Sequence, residues 1–389
     1  MLSPLTSHLL PTGTRSKERS AKIAQNLLTP TGIRLNGDNP FDIRVKDDAF
    51  YEIALPQGLT GLREAYVEGW WDTDQLDVLT YKVMRHGIKL SQADASTLMI
   101  AKLLGRIRNQ QNRRRSLQVR QHYDLGNDLF RAMLDKRMVY SCAYWKDANT
   151  LNEAQEAKLD IVCRKVGLRP GMRVLDVGCG WGSFAKFAAE RYGVSVLGIT
   201  ISDEQAQLGK SLCADLPVEL KVQDYRELKS YDEKFDAIVS IGMFEHVGYK
   251  NYHNYIKLIR QCLKREGLFL LQTIGGNNSE VTFDPWMRKN IFPNAMLPSA
   301  KQIATACEGI MLIEDWHTMG VDYDRTLMAW FDNFDYHWPQ LKSKYGNRFY
   351  RMWKCYLLTC AGLFRAREIQ LWQIIFSPKG LTGGYVSLR

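Results

Sequence analysis

The chain has 389 residues, a formal net charge of +10, 45% apolar residues and 24% charged residues. This is the balance of a globular protein long enough for two domains, not of a disordered or collagenous one. Its eight cysteines include no CxxC pair, which argues for free thiols in a reducing compartment, and no run approaches the ~18 uninterrupted apolar residues of a spanning helix. The positive charge favours an anionic partner, and charge alone leaves nucleic acid, a phospholipid surface and an acidic substrate open.

In chain order, the start Met1-Leu2-Ser3-Pro4 lacks the basic segment and long apolar core of a signal peptide, so a cytoplasmic location is expected. Residues 1–16, with Pro4, Pro11 and Gly13, are expected to be a mobile tail. Residues 17–90 suit a compact module. In it Asn36-Gly37-Asp38-Asn39-Pro40 is a turn between Ile33 and Leu35 on one side and Phe41-Asp42-Ile43-Arg44-Val45 on the other. The pair Trp70-Trp71 suits either a core or a lipid interface.

Residues 91–120 form a basic linker. Ile100, Leu103, Leu104 and Ile107 recur at helical spacing among Lys102, Arg106, Arg108, Arg113, Arg114, Arg115 and Arg120. Such a helix fits an anionic membrane surface or packs, solvated, on the next domain; no base-reading motif accompanies it, so no nucleic-acid partner is expected.

Residues 121–389 then alternate helix-like and strand-like patterns. A helix over 151–166 leads into Val174-Leu175-Asp176-Val177-Gly178-Cys179-Gly180-Trp181-Gly182, read as strand, tight turn and helix start. Strands at 195–200, 218–222, 235–241, 267–273 and 371–376 and helices from Ser202 and over 251–264 imply an α/β fold, a parallel sheet with helices on both faces. Ser202 and Gln205 have the spacing of a capping box. No His, Cys, Asp and Glu spacing resembles a metal site.

The glycine cluster is not GxGxxG. Asp176 stands two residues before Gly178, where a carboxylate can meet a ligand ammonium group while glycine backbone approaches its carboxylate and ribose. This D-x-G-x-G-x-G pattern resembles motif I of the class I methyltransferases, which have a Rossmann-like sheet and bind S-adenosylmethionine. Four further runs, Tyr140-Ser141-Cys142-Ala143-Tyr144-Trp145, Gly198-Ile199-Thr200-Ile201-Ser202, Gly242-Met243-Phe244-Glu245-His246-Val247-Gly248 and Cys360-Ala361-Gly362-Leu363-Phe364-Arg365-Ala366-Arg367, are similar to the cyclopropane-fatty-acyl-phospholipid synthases. Asp42-Ile43-Arg44-Val45-Lys46 and Glu68-Gly69-Trp70-Trp71-Asp72 resemble the smaller N-terminal domain of the bacterial two-domain form, which acts on intact phospholipid.

The resemblance implies that a cis double bond attacks the sulfonium methyl group, and that the resulting carbocation loses a proton to bound bicarbonate and closes to a ring. It implies cofactor contacts at Tyr140, Ser141, Val174, Asp176, Gly178, Cys179, Gly180, Gly182, Leu197, Thr200, Ser202, Gln205, Asp224 and Tyr225. It places the bicarbonate site, held by main chain near Cys142 and Ile274 and by a few side chains, at Cys142, Glu245, Gln272, Ile274 and Tyr323, with Cys360 as a further active-site position. Where the family has histidine, this chain has Gln272, whose amide can donate to an anion but cannot carry charge. An ionised Glu245 cannot hold an anion directly, so it would orient another group or share a proton with bicarbonate. Among aromatic residues, Tyr140, Phe244, Trp286, Tyr323 and Trp330 are candidates to stabilise the cation. The family also implies an unsaturated acyl chain as substrate, peripheral association with the inner membrane and a homodimer.

Three other readings compete. An RNA cytosine methyltransferase needs a Pro-Cys nucleophile, and none of the eight cysteines follows proline. A non-catalytic lipid binder would not require Glu245, Tyr323 and the Cys142 segment together. A fatty-acyl methyltransferase that leaves a branched or methylene product shares the scaffold.

Overall fold

The structure, a computed structural model, describes residues 14–87, 125–232 and 234–389. The basic linker 91–120, with Arg113, Arg114 and Arg115, lies outside the described residues, as does the expected tail up to residue 13. From Thr14 the chain is helical, so the first helix begins inside the stretch expected as tail.

The N-terminal stretch comprises α1 (Thr14–Leu28), β1 (Arg44–Val45), α2 (Ala49–Val67), β2 (Trp71–Asp72) and α3 (Leu76–Arg85). The expected turn at 36–40 is present, but side chains close it. The buried Asp42 carboxylate accepts from the backbone N–H groups of Arg34 (2.8 Å) and Asn39 (2.9 Å), and the Gln25 side chain clamps Ile33 and Leu35. β1 pairs antiparallel with β2, and across the turn only Ile43, the residue before β1, makes an isolated bridge to Leu35. Trp71 is core, 1% exposed, and its indole N–H donates to the Leu62 carbonyl at 2.8 Å; Trp70 is half-buried.

The remaining elements are α4 (Asn127–Met133), α5 (Leu151–Lys165), β3 (Arg173–Val177), α6 (Ser183–Tyr192), β4 (Ser195–Thr200), α7 (Asp203–Leu212), β5 (Val218–Val222), β6 (Phe235–Ile241), α8 (Tyr252–Cys262), β7 (Leu263–Gly276), α9 (Pro285–Asn290), α10 (Ala300–Cys307), β8 (Leu312–Thr318), α11 (Gly320–Arg365, kinked at Gly346) and β9 (Ile369–Ser377). A seven-stranded sheet runs β5-β4-β3-β6-β7-β9-β8. Its central strands β3, β4 and β6 are short, largely apolar runs because both faces are covered, whereas the edge strands β5 and β8 mix in charged residues. Val174, Val196, Val239 and Leu270 enter one core with α5 and α6, whereas Leu175, Leu197, Ile238 and Leu271 enter another with α8 and α10.

The expectation of a parallel sheet holds from β5 through β7 and fails beyond: β9 is antiparallel to both β7 and β8. The chain reaches β9 from β8 through α11, which crosses over the N-terminal stretch. One continuous apolar cluster contains Tyr66, Trp71 and Leu79 together with Phe130, Trp330, Trp353 and Leu357. Around it Arg351 bonds Asp72 and the carbonyls of Tyr66 and Trp71, while Arg365 joins Asp77 and Asp324.

Gly362 explains why the Cys-Ala-Gly run of α11 is small. A Cβ there would stand 2.6 Å from the Asp77 carbonyl and 2.7 Å from Thr80 Cβ, so α11 and α3 touch backbone to backbone. Gly362→Ala is expected to lose about 1–3 kcal/mol of stability by overpacking. Urea unfolding checks this; an unchanged midpoint would mean the two helices do not meet this closely.

Candidate active site

Two adjoining cavities open around the ends of β3, β4, β6 and β7, with Tyr140, Gly242 and His246 in the walls of both. The first surrounds the glycine-rich turn. Gly178 has φ +87°, and its N–H and that of Cys179 both donate to the Ile199 carbonyl, at 2.9 and 3.0 Å. A Cβ on Gly178 would stand 2.7 Å from Met243 Cβ; only glycine passes there.

Asp176 lines this cavity almost fully buried, with Oδ2 lacking any partner. Burial raises its carboxyl to about 7, against the opposing pull of Lys158. Lys158, on α5, is 1% exposed, its ammonium donates to Ser141 Oγ at 3.0 Å, and burial lowers it to about 8. At the end of β4, Thr200 Oγ1 donates to Gln205 Oε1 (3.0 Å) and Gln205 N donates to Ser202 Oγ (3.2 Å). Only half of the expected capping box forms, because the Gln205 side chain turns to Thr200. Asp224 accepts from the backbone N–H and the guanidinium of Arg226, at 2.9 and 2.7 Å, and that guanidinium lies 4.8 Å from the Tyr225 ring centre.

The second cavity is largely apolar, walled by Met287, Phe292, Leu297, Leu327, Tyr356 and Phe364 among others, and it takes in Glu245, Ile274, Tyr323 and Cys360. Glu245 Oε1 accepts from Ile274 N at 2.6 Å, while Oε2 is buried with no partner. Burial raises this carboxyl to about 7. His246 beside it is lowered to about 4 by burial and is a neutral imidazole at pH 7. Tyr323 stacks on Phe364 with ring centres 4.6 Å apart, and Tyr140 and Tyr356 share a hydroxyl–hydroxyl bond of 3.0 Å. Burial raises the Tyr323 hydroxyl far above its ordinary range and the Cys360 thiol to about 12, so both stay protonated.

Of the residues expected at the cofactor, Tyr140, Ser141, Asp176, Gly178, Cys179, Gly180, Thr200, Gln205, Asp224 and Tyr225 line the first cavity. Four do not. Val174 and Leu197 point into the two sheet cores, Ser202 is a fully buried N-cap, and Gly182 packs against Leu220 at the start of α6.

In the second cavity the corrections are larger. Gln272 is 1% exposed and is not a wall residue: its Oε1 accepts from Gln373 Nε2 at 2.9 Å, and Gln373 Oε1 accepts from Lys165 at 2.8 Å. The Cys142 side chain is fully buried with Sγ 3.9 Å from Thr326 Oγ1, which leaves to this position only the main-chain role expected of it. Phe244 stacks on Tyr252 at 4.2 Å, and it, Trp286 and Trp330 are core, not cavity wall. The residues missed are Lys158, Met243, Arg226, Tyr356, Phe364 and Arg63. Only Lys158 had a signal, as a charged residue on the apolar face of α5 between Leu151 and Val162.

Among the described residues no group of His, Cys, Asp and Glu could hold a metal ion, and no helix is long and apolar enough to cross a membrane.

Residues 110–374 match the family described as Mycolic acid cyclopropane synthetase. The chain is 50% identical over 366 residues to the cyclopropane-fatty-acyl-phospholipid synthase of Escherichia coli K12, covering 93% of this chain and 94% of that one. It is 36% identical to a probable fatty acid methyltransferase of Pseudomonas putida, over 65% of this chain and 67% of that one. Among solved structures it is similar to the mycolic acid cyclopropane synthase CmaA1 complexed with SAH and CTAB: TM-score 0.61, 33% identity, 67% of this chain and 97% of that one.

Proposed function

The chain belongs to the mycolic acid cyclopropane synthetase family, and on that premise we propose that it is an S-adenosylmethionine-dependent cyclopropane-fatty-acyl-phospholipid synthase. It transfers a methylene to the cis double bond of an unsaturated acyl chain. The observation that carries this reading is the junction of the two cavities: one built on a glycine turn and holding the Asp176 and Asp224 carboxylates meets one walled by apolar side chains around a buried, half-used carboxyl.

The residues fit the methyl donor. The unpartnered Asp176 Oδ2 suits its ammonium group, and Gly178 and Gly180 leave room for its backbone contacts. When bound, S-adenosylmethionine supplies an electrophilic methyl group on a sulfonium centre. Asp224 retains lone pairs for a base amino group beside the Tyr225 ring.

Bicarbonate also fits, and would supply a weak base that an apolar site lacks. Glu245 Oε2 is a buried polar atom in search of a partner, and with its carboxyl raised to about 7 it can donate a proton to an anion while Oε1 stays on Ile274 N. The Tyr323 hydroxyl and main chain near Cys142 complete the set, while the Ile274 N–H holds Glu245 in place. Gln272 is withdrawn from it, because its side chain does not line the cavity and is turned to Gln373, from which its Oε1 accepts.

Tyr140 and Tyr323, with Phe364, present aromatic faces to positive charge developing on the chain. Cys360 serves as wall: a thiol held at about 12 offers no thiolate to be alkylated by mistake. Incubation with S-adenosylmethionine and a cis-unsaturated phospholipid should raise lipid mass by one CH₂ per double bond. No mass gain with any such lipid would end this reading.

On this account residues 17–90 form a lipid-associated domain, 121–389 the catalytic domain, and the basic stretch 91–120 meets an anionic phospholipid surface at the inner membrane, in a homodimer. Replacing Arg113, Arg114 and Arg115 with glutamine should weaken binding to anionic vesicles by on the order of a hundredfold, at ~1 kcal/mol for each charge. Co-sedimentation checks it, and equal binding would leave the stretch a linker; ultracentrifugation tests the dimer.

A further inference from the structure

Arg63 stands in the wall of the acyl cavity although it comes from α2, outside the matched stretch 110–374. Its side chain is 6% exposed. Nη1 donates to Asp284 Oδ2 at 2.7 Å, and the guanidinium carbon lies 5.7 Å from the Trp286 ring centre. Nε is buried with no partner. The other oxygen of Asp284 accepts from Met287 N at 2.8 Å, so this carboxylate cannot turn to serve it.

A buried N–H without an acceptor is costly, and a hydrocarbon chain filling the cavity would not relieve it. The substrate must bring the acceptor. Two features select its kind. The guanidinium charge is already matched by Asp284, so the spare N–H has no excess charge to attract an anion. The same cavity wall also carries the exposed Glu280 and Glu368, which leaves carboxylates outnumbering the single guanidinium and disfavours a free fatty carboxylate or a phosphate. A neutral carbonyl oxygen meets both conditions.

Resting on the activity proposed above, we infer that Arg63 is a specificity residue whose Nε–H receives the ester carbonyl of the acyl chain. The N-terminal stretch thereby recognises an esterified acyl chain and fixes how far it enters the cavity.

The test offers the full-length protein two phospholipids in competition, identical in headgroup and cis-unsaturated chain but joined to glycerol through an ester or an ether linkage. The ether lacks the carbonyl. The unaltered protein is expected to favour the ester about fivefold in kcat/KM, the worth of one ordinary hydrogen bond. Arg63→Met should bring the ratio close to unity. Arg63→Lys keeps an ion pair for Asp284 without the Nε–H, so it should also lower the ratio and decides the matter should the methionine variant not fold. A purely structural Arg63 would slow both lipids alike. A ratio near unity in the unaltered protein, or an unchanged ratio in a folded variant, overturns the assignment while ring formation itself persists; absence of ring product from both lipids would instead overturn the activity reading.

Discussion

Glu245→Leu is expected to slow turnover by on the order of 10²- to 10⁴-fold, the usual worth of a positioned proton-handling group, while S-adenosylmethionine affinity stays within a few fold. Among the described residues lining the acyl cavity, the substitution removes the one side chain with a buried oxygen, Oε2, lacking a partner, and it strips Ile274 N of its acceptor. Glu245→Gln behaves differently. The amide keeps an oxygen for Ile274 N and offers an N–H where the protonated carboxyl had an O–H.

The pH dependence follows from the same atom. In the folded protein the carboxyl is raised to about 7 by burial, so it is neutral below that pH and can donate to an anion. As pH climbs through about 7 it ionises and repels the anion. Stimulation by bicarbonate should therefore weaken above neutrality in the unaltered protein and stay flat in Glu245→Gln. Steady-state rates across pH, with and without added bicarbonate, check this. Parallel profiles for the two proteins would remove Glu245 from the anion site.

Gly178→Val should abolish measurable S-adenosylmethionine binding, a loss of about a hundredfold or more, in a protein that still folds. Two costs coincide at that position. A β-branched residue at φ +87° is strained by roughly 1–3 kcal/mol, and its Cβ would meet Met243 Cβ at 2.7 Å, forcing a shift worth about as much again. Relief by moving the turn displaces Asp176 and Gly180, the groups that face the ligand. Calorimetry with S-adenosylmethionine reads it directly, and unchanged affinity would detach the glycine turn from the cofactor.

Most strands of the sheet were legible because each is a short apolar or alternating run between turn residues; 218–222 and 235–241 coincide with β5 and β6. β8 was not, since Leu312-Ile313-Glu314-Asp315-Trp316-His317-Thr318 is mixed in polarity and is an edge strand made by its pairing with β9. For the same reason the antiparallel turn of the sheet was hidden. At the site, Asp176 and Gly178 announce themselves by local chemistry. Arg63 cannot, because its partner lies 221 positions away. Nor does sequence tell which aromatic residues face a cavity: Tyr323 and Trp330 stand two helical turns apart on α11, and only packing makes one a wall residue and the other core. Gln272 reads from sequence as an anion donor, but its side chain turns to Gln373 on the neighbouring strand, from which its Oε1 accepts, and it does not line the cavity.

The most direct test of the central claim is the fate of the transferred carbon. The protein is supplied with S-adenosylmethionine bearing a CD₃ group and a phospholipid with one cis double bond, and the product is examined by mass spectrometry and proton and deuterium NMR. Closure to a ring predicts two retained deuterons, both on a cyclopropane methylene, and loss of the third to solvent. A product keeping all three deuterons in a methyl branch, or carrying two on a methylene (=CD₂) branch of the chain, would contradict ring closure and make this chain a fatty-acyl methyltransferase.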